Sequence, residues 1–277
     1  YASIFARRSV RQYDTKPLDA AMLAQVAEIA SQAKPLVPAN VYQVARRDEA
    51  LSNALFALLG AYGKLIKPPH ALIPYIVGGE HVQMDLGYRA EQIAVRLTQL
   101  GVGTCFIGAL KAEAALGPTL GLPAGAQVGA MLLYGRPAAG ALGKAVNALI
   151  RAGAGAEKRL EVEQITYEDD FDHPARPAEP ILALLDAARR APSARNVQPW
   201  RFLWREETLY LYTVANSPKY LAHGPTYELY DCGICMANVA LAMEALGIEG
   251  GWQIIERPAD APPCPPTLRP LAKLTIL

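Results

Sequence analysis

The sequence predicts an α+β protein that carries two tandem copies of one helix–strand unit. A segment that begins at Asp85 recurs from Asp231 onward. At one constant spacing the two segments share Asp85 and Asp231, Gly87 and Gly233, Ala94 and Ala240, Leu100 and Leu246, and Gly101 and Gly247. In each copy, apolar residues at helical spacing end at a Leu-Gly pair, which is typical of a helix C-terminus, and a strand-like segment follows. Chance recurrence of helix–Gly–strand units is the alternative.

The order of elements around these segments is also alike. Amphipathic helices are predicted upstream at 19–32 and 180–190, and apolar strands downstream at 128–134 and 271–277. Residues 136–180, rich in Ala and Gly and then charged, are interpreted as a crossing connection. We therefore expect a first repeat at residues 1–160, including the start of the connection, and a second, shorter repeat at 161–277.

Composition narrows the class of protein and its location. The 277 residues hold 27 basic and 26 acidic side chains, so overall charge favours neither nucleic acid nor an anionic membrane as a partner. Four cysteines cannot form a disulfide framework in a chain of this length, which favours the cytoplasm. The segment Leu51 to Ile66 has helical apolar spacing, is too short to span a bilayer, and is interpreted as a core helix.

A basic cluster near the N-terminus is the first candidate site. Arg7, Arg8, Ser9 and Arg11 place three guanidiniums and a hydroxyl within five residues, just before a predicted helix. Guanidiniums bind phosphate through charge-assisted hydrogen bonds that contribute about 1.5–3 kcal/mol each. A solvated basic N-terminus is the alternative interpretation of the cluster taken alone.

A polar loop between two prolines is the second candidate site. It runs from Ala191 to Trp200 and includes Pro192, Ser193, Asn196 and Gln198. The prolines restrict the backbone to a non-helical turn, which exposes polar side chains and N–H groups to a planar ring edge or a phosphate. A plain helix-to-strand loop is the alternative.

These two segments together resemble the FMN-dependent nitroreductase family. Its members open with Arg-x-Ser-x-Arg/Lys and carry a Pro-Ser-x-x-Asn-x-Gln-Pro-Trp loop. The segment Leu100 to Gly108 is similar to the family's Leu-Gly-x-Gly-(Thr/Ser)-x-(Trp/Phe)-x-Gly strand, and Leu120 to Pro123 is similar to its Leu-Gly-Leu-Pro turn. The resemblance covers the first 160 residues well and the last 100 adequately. It implies mixed, mostly antiparallel sheets flanked by helices, and FMN bound between the two subunits of a homodimer.

The two copies depart from the family pattern in complementary ways. The first keeps the Arg-Ser segment but has residues 33–43 where the loop is expected, without the Pro-Ser and Pro-Trp pairs. The second keeps the loop but has residues 171–176 where the Arg-Ser segment is expected, and acidic side chains there would repel phosphate. The resemblance thus narrows to single-chain, two-repeat nitroreductases, and implies a monomeric intramolecular pseudo-dimer with one FMN site between its repeats.

The resemblance also assigns roles to individual residues. The phosphate would be bound by Arg7, Ser9, Lys158 and Arg159, with Arg8 nearby, and Arg11 would lie beside the pyrimidine edge of the flavin. Pro192, Ser193, Asn196 and Gln198 would form the loop that closes over the ring and the ribityl chain. Ile107 and Gly108 would present backbone groups to the ring nitrogen that accepts hydride.

The activity implied is reduction of nitroaromatics, quinones or similar small acceptors with electrons from NADPH or NADH, by a ping-pong scheme without a protein nucleophile. A flavin-binding or degenerate, non-catalytic protein is the alternative. Four histidines, at 70, 81, 173 and 223, lack metal-ligand spacing, so no metal site is expected. The pair Cys232 and Cys235 lies within a predicted helix and is interpreted as core packing rather than as a redox motif.

Overall fold

The computed structural model describes residues 1–47, 66, 68–110, 113–139, 158–221 and 226–276. The chain forms two compact units. The N-terminal unit comprises Ala6–Glu157, and the C-terminal unit comprises Tyr1–Phe5 together with Lys158–Leu277. Within the C-terminal unit, the Tyr1 hydroxyl donates to the carbonyl of Ala183 at 3.1 Å. Apart from Ile66, the core helix predicted from Leu51 to Ile66 lies outside the described residues.

The N-terminal unit alternates helices and strands. Helix α1 (Ala2–Ala6) precedes it and, except for Ala6, belongs to the C-terminal unit. The elements of the N-terminal unit are α2 (Ala20–Ser31), β1 (Val41–Arg47), β2 (His70–Val77), α3 (Val82–Gln99), β3 (Gly103–Gly108), α4 (Glu113–Leu120), β4 (Ala126–Gln127) and β5 (Ala130–Gly135). Strand β5 is the apolar strand predicted at 128–134, displaced toward the C-terminus.

The C-terminal unit has a similar order of elements. They are α5 (Val162–Ile165), β6 (Thr166–Glu168), α6 (Ile181–Ala188), β7 (Trp200–Arg205), β8 (Thr208–Val214), α7 (Pro218–Leu221), α8 (Glu228–Leu246), β9 (Gly250–Ile254) and β10 (Leu268–Ile276). Elements α5 and β6 lie in the segment 136–180 that was interpreted as a crossing connection. Strand β6 forms because the edge of β7 offers it hydrogen-bonding partners, a long-range pairing that local sequence does not reveal.

The two sheets share one strand order. In the N-terminal unit it is β1-β2-β5-β3, with β4 beside β2, and in the C-terminal unit it is β6-β7-β8-β10-β9. When β4 and β6 are left out, four strands remain in each sheet, and each sheet places the first of them beside the second, the second beside the fourth and the fourth beside the third. These pairings are antiparallel, whereas β6 pairs with β7 in parallel. The predicted fold class, α+β with mostly antiparallel sheets and flanking helices, is confirmed.

Local signals set the helix ends. Asp19 caps α2 by accepting a hydrogen bond from the N–H of Met22 at 2.9 Å, as the predicted start implies. Helix α3 is followed by Gly101 with φ of 71°, and α8 is capped by Gly247 with φ of 68°. Glycine is suited to this left-handed backbone because it has no Cβ, so both predicted Leu-Gly ends are confirmed.

The N-terminal sheet is buried on both faces. One face packs against α2 and α3 through residues that include Val26, Ile93 and Leu132. The opposite face, with Ile73, Cys105 and Met131 among its buried side chains, packs against residues of α4 and against Tyr13. Tyr13 comes two residues after the Arg7–Arg11 segment, so this packing helps to place that segment in the unit.

Candidate functional site

Strand β3 positions the basic segment of the N-terminal unit. Ser9 forms a parallel bridge with Thr104, and the N–H of Val10 donates to the carbonyl of Thr104 at 2.8 Å. A Cβ on Gly103 would lie 2.6 Å from a methyl carbon of Val10, so the close approach depends on glycine. The segment Arg7–Arg11 therefore runs beside the strand that ends with Ile107 and Gly108, and the structure brings these two predicted groups of residues together.

Arg7 is buried beside a carboxylate. Its side chain is 4% exposed, and its Nε lies 3.2 Å from Oε1 of Glu91, which is 1% exposed. The buried Nη1 of Arg7 has no hydrogen-bond acceptor among the described residues. Arg8 points elsewhere, because its Nη1 donates to the carbonyl of Arg7 at 2.9 Å. The Arg7 guanidinium thus keeps a buried donor that a bound anion could accept from.

The proline-bracketed loop of the C-terminal unit has an unusual backbone. Arg195, Asn196 and Gln198 have φ of 56°, 54° and 53°, in the left-handed region that non-glycine residues avoid. Each such residue costs on the order of 1–3 kcal/mol and persists only where its surroundings hold it. The Ser193 Oγ accepts from the N–H of Gln198 at 2.9 Å and closes the turn. In the counterpart loop of the first copy, none of residues 33–40 has positive φ.

The segment that begins at Lys158 lies on this loop. The carbonyl of Lys158 accepts from the side-chain amides of Asn196 at 2.7 Å and Gln198 at 3.2 Å. The Oε1 of Gln198 accepts from the N–H of Leu160 at 2.9 Å, and the Arg159 guanidinium hydrogen-bonds the side-chain oxygen of Asn196. The structure therefore brings Lys158 and Arg159 together with the loop. Gln198 is 5% exposed, and its amide holds this segment in place.

Asp231, on α8, contacts this loop and lies outside the two sequence motifs. Its carboxylate accepts from the N–H of Ala194 at 2.8 Å and from the Tyr220 hydroxyl at 2.5 Å. Burial raises the pKa of Asp231 to about 7, against the lowering effect of these two hydrogen bonds. The signal that could have found it was in the repeat, since Asp231 is identical to Asp85 at the repeat spacing.

Asp85 holds the counterpart loop in the N-terminal unit. Its Oδ1 accepts from the N–H of Leu36 at 2.7 Å, and its Oδ2 accepts from the Asn40 amide at 3.1 Å. The Arg89 Nε also donates to Asp85, at 3.1 Å. Each repeat therefore uses the same aspartate to hold the loop after its first helix.

Residues 171–176 take a different place from the Arg7–Arg11 segment. Their backbone lies against β6, where Pro174 bridges Tyr167 and the N–H of Ala175 donates to Thr166 at 2.9 Å. The Arg7–Arg11 segment lies instead beside β3, whose counterpart is β9. Arg176 forms an exposed ion pair with Glu163 at 3.0 Å. Residues 171–176 therefore do not occupy the position in their sheet that the Arg7–Arg11 segment occupies in its own.

Comparison with known proteins now identifies the family. A family model described as "Putative TM nitroreductase" matches residues 1–243. The chain belongs to this nitroreductase family. A comparison with curated proteins found no match.

Among solved structures, one described as a putative nitroreductase from Thermotoga maritima is 16% identical and covers 99% of this chain and 92% of its own, with a TM-score of 0.59. That likeness shows a shared nitroreductase fold. An FMN-bound nitroreductase from Bacteroides fragilis is 22% identical over 50% of this chain and 89% of its own, with a TM-score of 0.44. An NADPH:FMN oxidoreductase from Vibrio harveyi, complexed with NAD+, is 19% identical over 49% of this chain and 67% of its own, with a TM-score of 0.43.

The histidine and cysteine side chains His70, Cys232 and Cys235 of this nitroreductase are buried in its core. His70 is fully buried, and its Nε2 accepts from the N–H of Leu18 at 2.8 Å. Cys232 and Cys235 are buried and reduced, and burial raises the pKa of the Cys232 thiol well above its usual value. Among the described residues, no three His, Cys, Asp or Glu side chains are grouped as metal ligands would be.

Helix α8 is the one helix in the described ranges that is long and apolar enough to cross a membrane. In this protein, 67% of its most apolar 18-residue window is buried. The Trp252 indole of β9 donates to the carbonyl of Met236 in this helix at 3.0 Å. A buried core helix has the same length and composition, so this feature is weak evidence for a membrane span.

Proposed function

We propose that this protein is a cytoplasmic, FMN-dependent NAD(P)H oxidoreductase that reduces nitroaromatics, quinones or similar small acceptors. One FMN site would be built from both repeats. The observation that carries the proposal is the division of ligands between the units. The N-terminal unit holds the Arg7–Arg11 segment against β3, and the C-terminal unit holds Lys158 and Arg159 against the loop from Pro192 to Gln198.

The residues present fit a flavin mononucleotide. A phosphate dianion needs several cationic or hydroxyl donors, which Arg7, Ser9, Lys158 and Arg159 would supply. The buried Nη1 of Arg7 is a donor that a phosphate oxygen would satisfy. The backbone of the loop from Pro192 to Gln198 is strained by three residues with positive φ, whereas residues 33–40 have none. This difference supports a binding role for the loop of the second copy and not for that of the first.

The remaining candidate residues would hold the ring system. FMN, when bound, supplies the transfer of hydride and electrons between a nicotinamide and the acceptor. Arg11 would place a cation at the pyrimidine edge, where it favours the anionic reduced flavin. Ile107 and Gly108 would offer backbone groups from the end of β3. Pro192, Ser193 and Asn196 would cover the ring and the ribityl chain.

We also propose that the two repeats arose by duplication and form a monomeric pseudo-dimer. The shared strand order and the matching roles of Asp85 and Asp231 support this proposal. The alternative function, a flavin-binding or degenerate, non-catalytic protein, is favoured in its degenerate form by Glu91. This carboxylate lies against Arg7 and offsets part of the positive charge that FMN phosphate would need.

Absorbance spectroscopy on the purified protein, supplemented with FMN, tests the proposal. We expect a yellow protein whose flavin absorbance is bleached anaerobically by NADPH or NADH and restored by a quinone or nitroaromatic. A protein that takes up FMN but is bleached by neither nicotinamide would support the non-catalytic alternative. A protein that takes up no FMN would overturn the proposed function and favour the degenerate, non-catalytic alternative.

A further inference from the structure

The loop from Ser193 to Gln198 needs a support that its own sequence does not supply. Three of its residues have positive φ, and such strain persists only where neighbouring groups fix the backbone. The Ser193 hydroxyl and the Lys158 carbonyl hold the end of the turn. The start of the turn, at the N–H of Ala194, is held by Asp231.

We propose that Asp231 is a positioning residue of the FMN site, whose carboxylate fixes the start of the loop and couples it to helix α7 through Tyr220. This inference rests on the proposed function for the identity of the ligand. Asp231 itself is 3% exposed, and it acts on the ligand through the loop backbone.

The surroundings of Asp231 favour a functional role over a purely stabilising one. The groups that hydrogen-bond it are the N–H of Ala194 from the loop and the hydroxyl of Tyr220 from α7. On its own helix, Cys232 is the next residue, and Glu228, three residues earlier, is paired with the Arg269 guanidinium of β10 at 3.0 Å. Asp85, in contrast to Asp231, is paired with the Arg89 guanidinium. Within the described part of the chain, Asp231 forms no ion pair, and a carboxylate buried without a cation is costly, so its presence beside a strained loop points to a task in holding that loop.

Two measurements on the full chain test this inference. The first is the dissociation constant of FMN, by flavin fluorescence. The second, made without FMN, is the rate of tryptic cleavage after Arg195, an exposed residue of the loop. Cleavage there requires the loop to open, so its rate reports loop order even if the protein binds no flavin.

Four variants separate positioning from general destabilisation. We expect Asp231→Ala to raise the FMN dissociation constant about tenfold and to accelerate cleavage after Arg195. Asp231→Asn keeps an acceptor for Ala194 and should recover most of both losses, and Tyr220→Phe should show a smaller effect in the same direction. The control is Tyr212→Phe, which removes from another buried tyrosine a hydroxyl that donates to the carbonyl of Pro262 at 2.9 Å. It should leave FMN affinity and Arg195 cleavage unchanged.

The outcomes are distinct. Wild-type affinity and wild-type cleavage in folded Asp231→Ala would overturn the inference, as would equal effects in Tyr212→Phe. If the wild-type protein binds no FMN, the proposed function fails, and the cleavage rates alone decide whether Asp231 orders the loop. If Asp231→Ala does not fold, the comparison of Tyr220→Phe with Tyr212→Phe decides.

Discussion

Arg7 shows how one residue can serve both stability and binding. It was selected as a phosphate ligand from its place in a basic cluster, yet it is also half of a buried ion pair with Glu91. Removing one member of a buried pair leaves the other charge unpaired in a poorly solvated site. A loss of FMN binding in an Arg7 variant therefore has to be separated from a loss of folding.

Replacement of Arg7 by Ala should lower the free energy of unfolding by about 3–5 kcal/mol, because the buried Glu91 carboxylate loses its ion pair with the Arg7 guanidinium. The double variant Arg7→Ala with Glu91→Ala should recover much of this loss. The control is Arg176→Ala, which removes an exposed ion pair with Glu163 and should change stability little. Urea denaturation measures all three.

The same variants report on binding. We expect the folded double variant to retain FMN less well than Arg176→Ala, since only Arg7 lies in a proposed phosphate site. Equal FMN retention would contradict the proposed asymmetry between the repeats.

At the scale of an element, β3 and the segment beside it depend on Gly103. An added Cβ would meet Val10 at 2.6 Å and Pro137 at 3.0 Å, so Gly103→Ala must push the Arg7–Arg11 segment outward. We expect a loss of about 1–3 kcal/mol from overpacking and weaker FMN binding. Gly117→Ala in α4, where nothing lies within 4 Å of the added carbon, should be neutral or slightly stabilising. Unchanged FMN affinity in Gly103→Ala would argue against a binding role for the segment.

Asp231, on helix α8, makes the free energy of unfolding depend on pH. Its pKa is raised from 3.8 to about 7 in the folded protein, so between these values the native state holds a proton that the unfolded state has lost. Stability from this group is therefore complete at low pH and is lost as the pH rises through about 7. The difference in unfolding free energy between wild type and Asp231→Asn should fall by up to about 1.4 kcal/mol per pH unit over this range. Urea titrations from pH 5 to 8 measure it, and a constant difference would contradict the raised pKa.

At the scale of the whole molecule, the proposal of one composite site predicts how many FMN molecules each chain binds. We expect one FMN per 277-residue chain, and a monomer by analytical ultracentrifugation. Two FMN molecules per chain would mean that the second pocket is also functional. One FMN per two chains would move the site to an interface between molecules.

Much of the fold was predictable because its signals are local. Asp19 marks the start of α2, Gly101 and Gly247 mark helix ends, and the recurrence of the segment from Asp85 indicates the repeat. Strand β6 was missed because three residues pair with β7 only when the chain brings them to its edge. The segment 171–176 was matched to Arg7–Arg11 by order along the chain, whereas sheet pairing places it elsewhere.

The sequence by itself determined the family, the α+β class, the two motifs and the candidate cations, since these depend on residue types at short spacing. Only the tertiary structure revealed that Arg7 lies against Glu91 and that Asp231 holds Ala194. Both contacts join residues far apart in the chain, and both owe their strength to burial. Burial depends on packing, which no local pattern of residues contains.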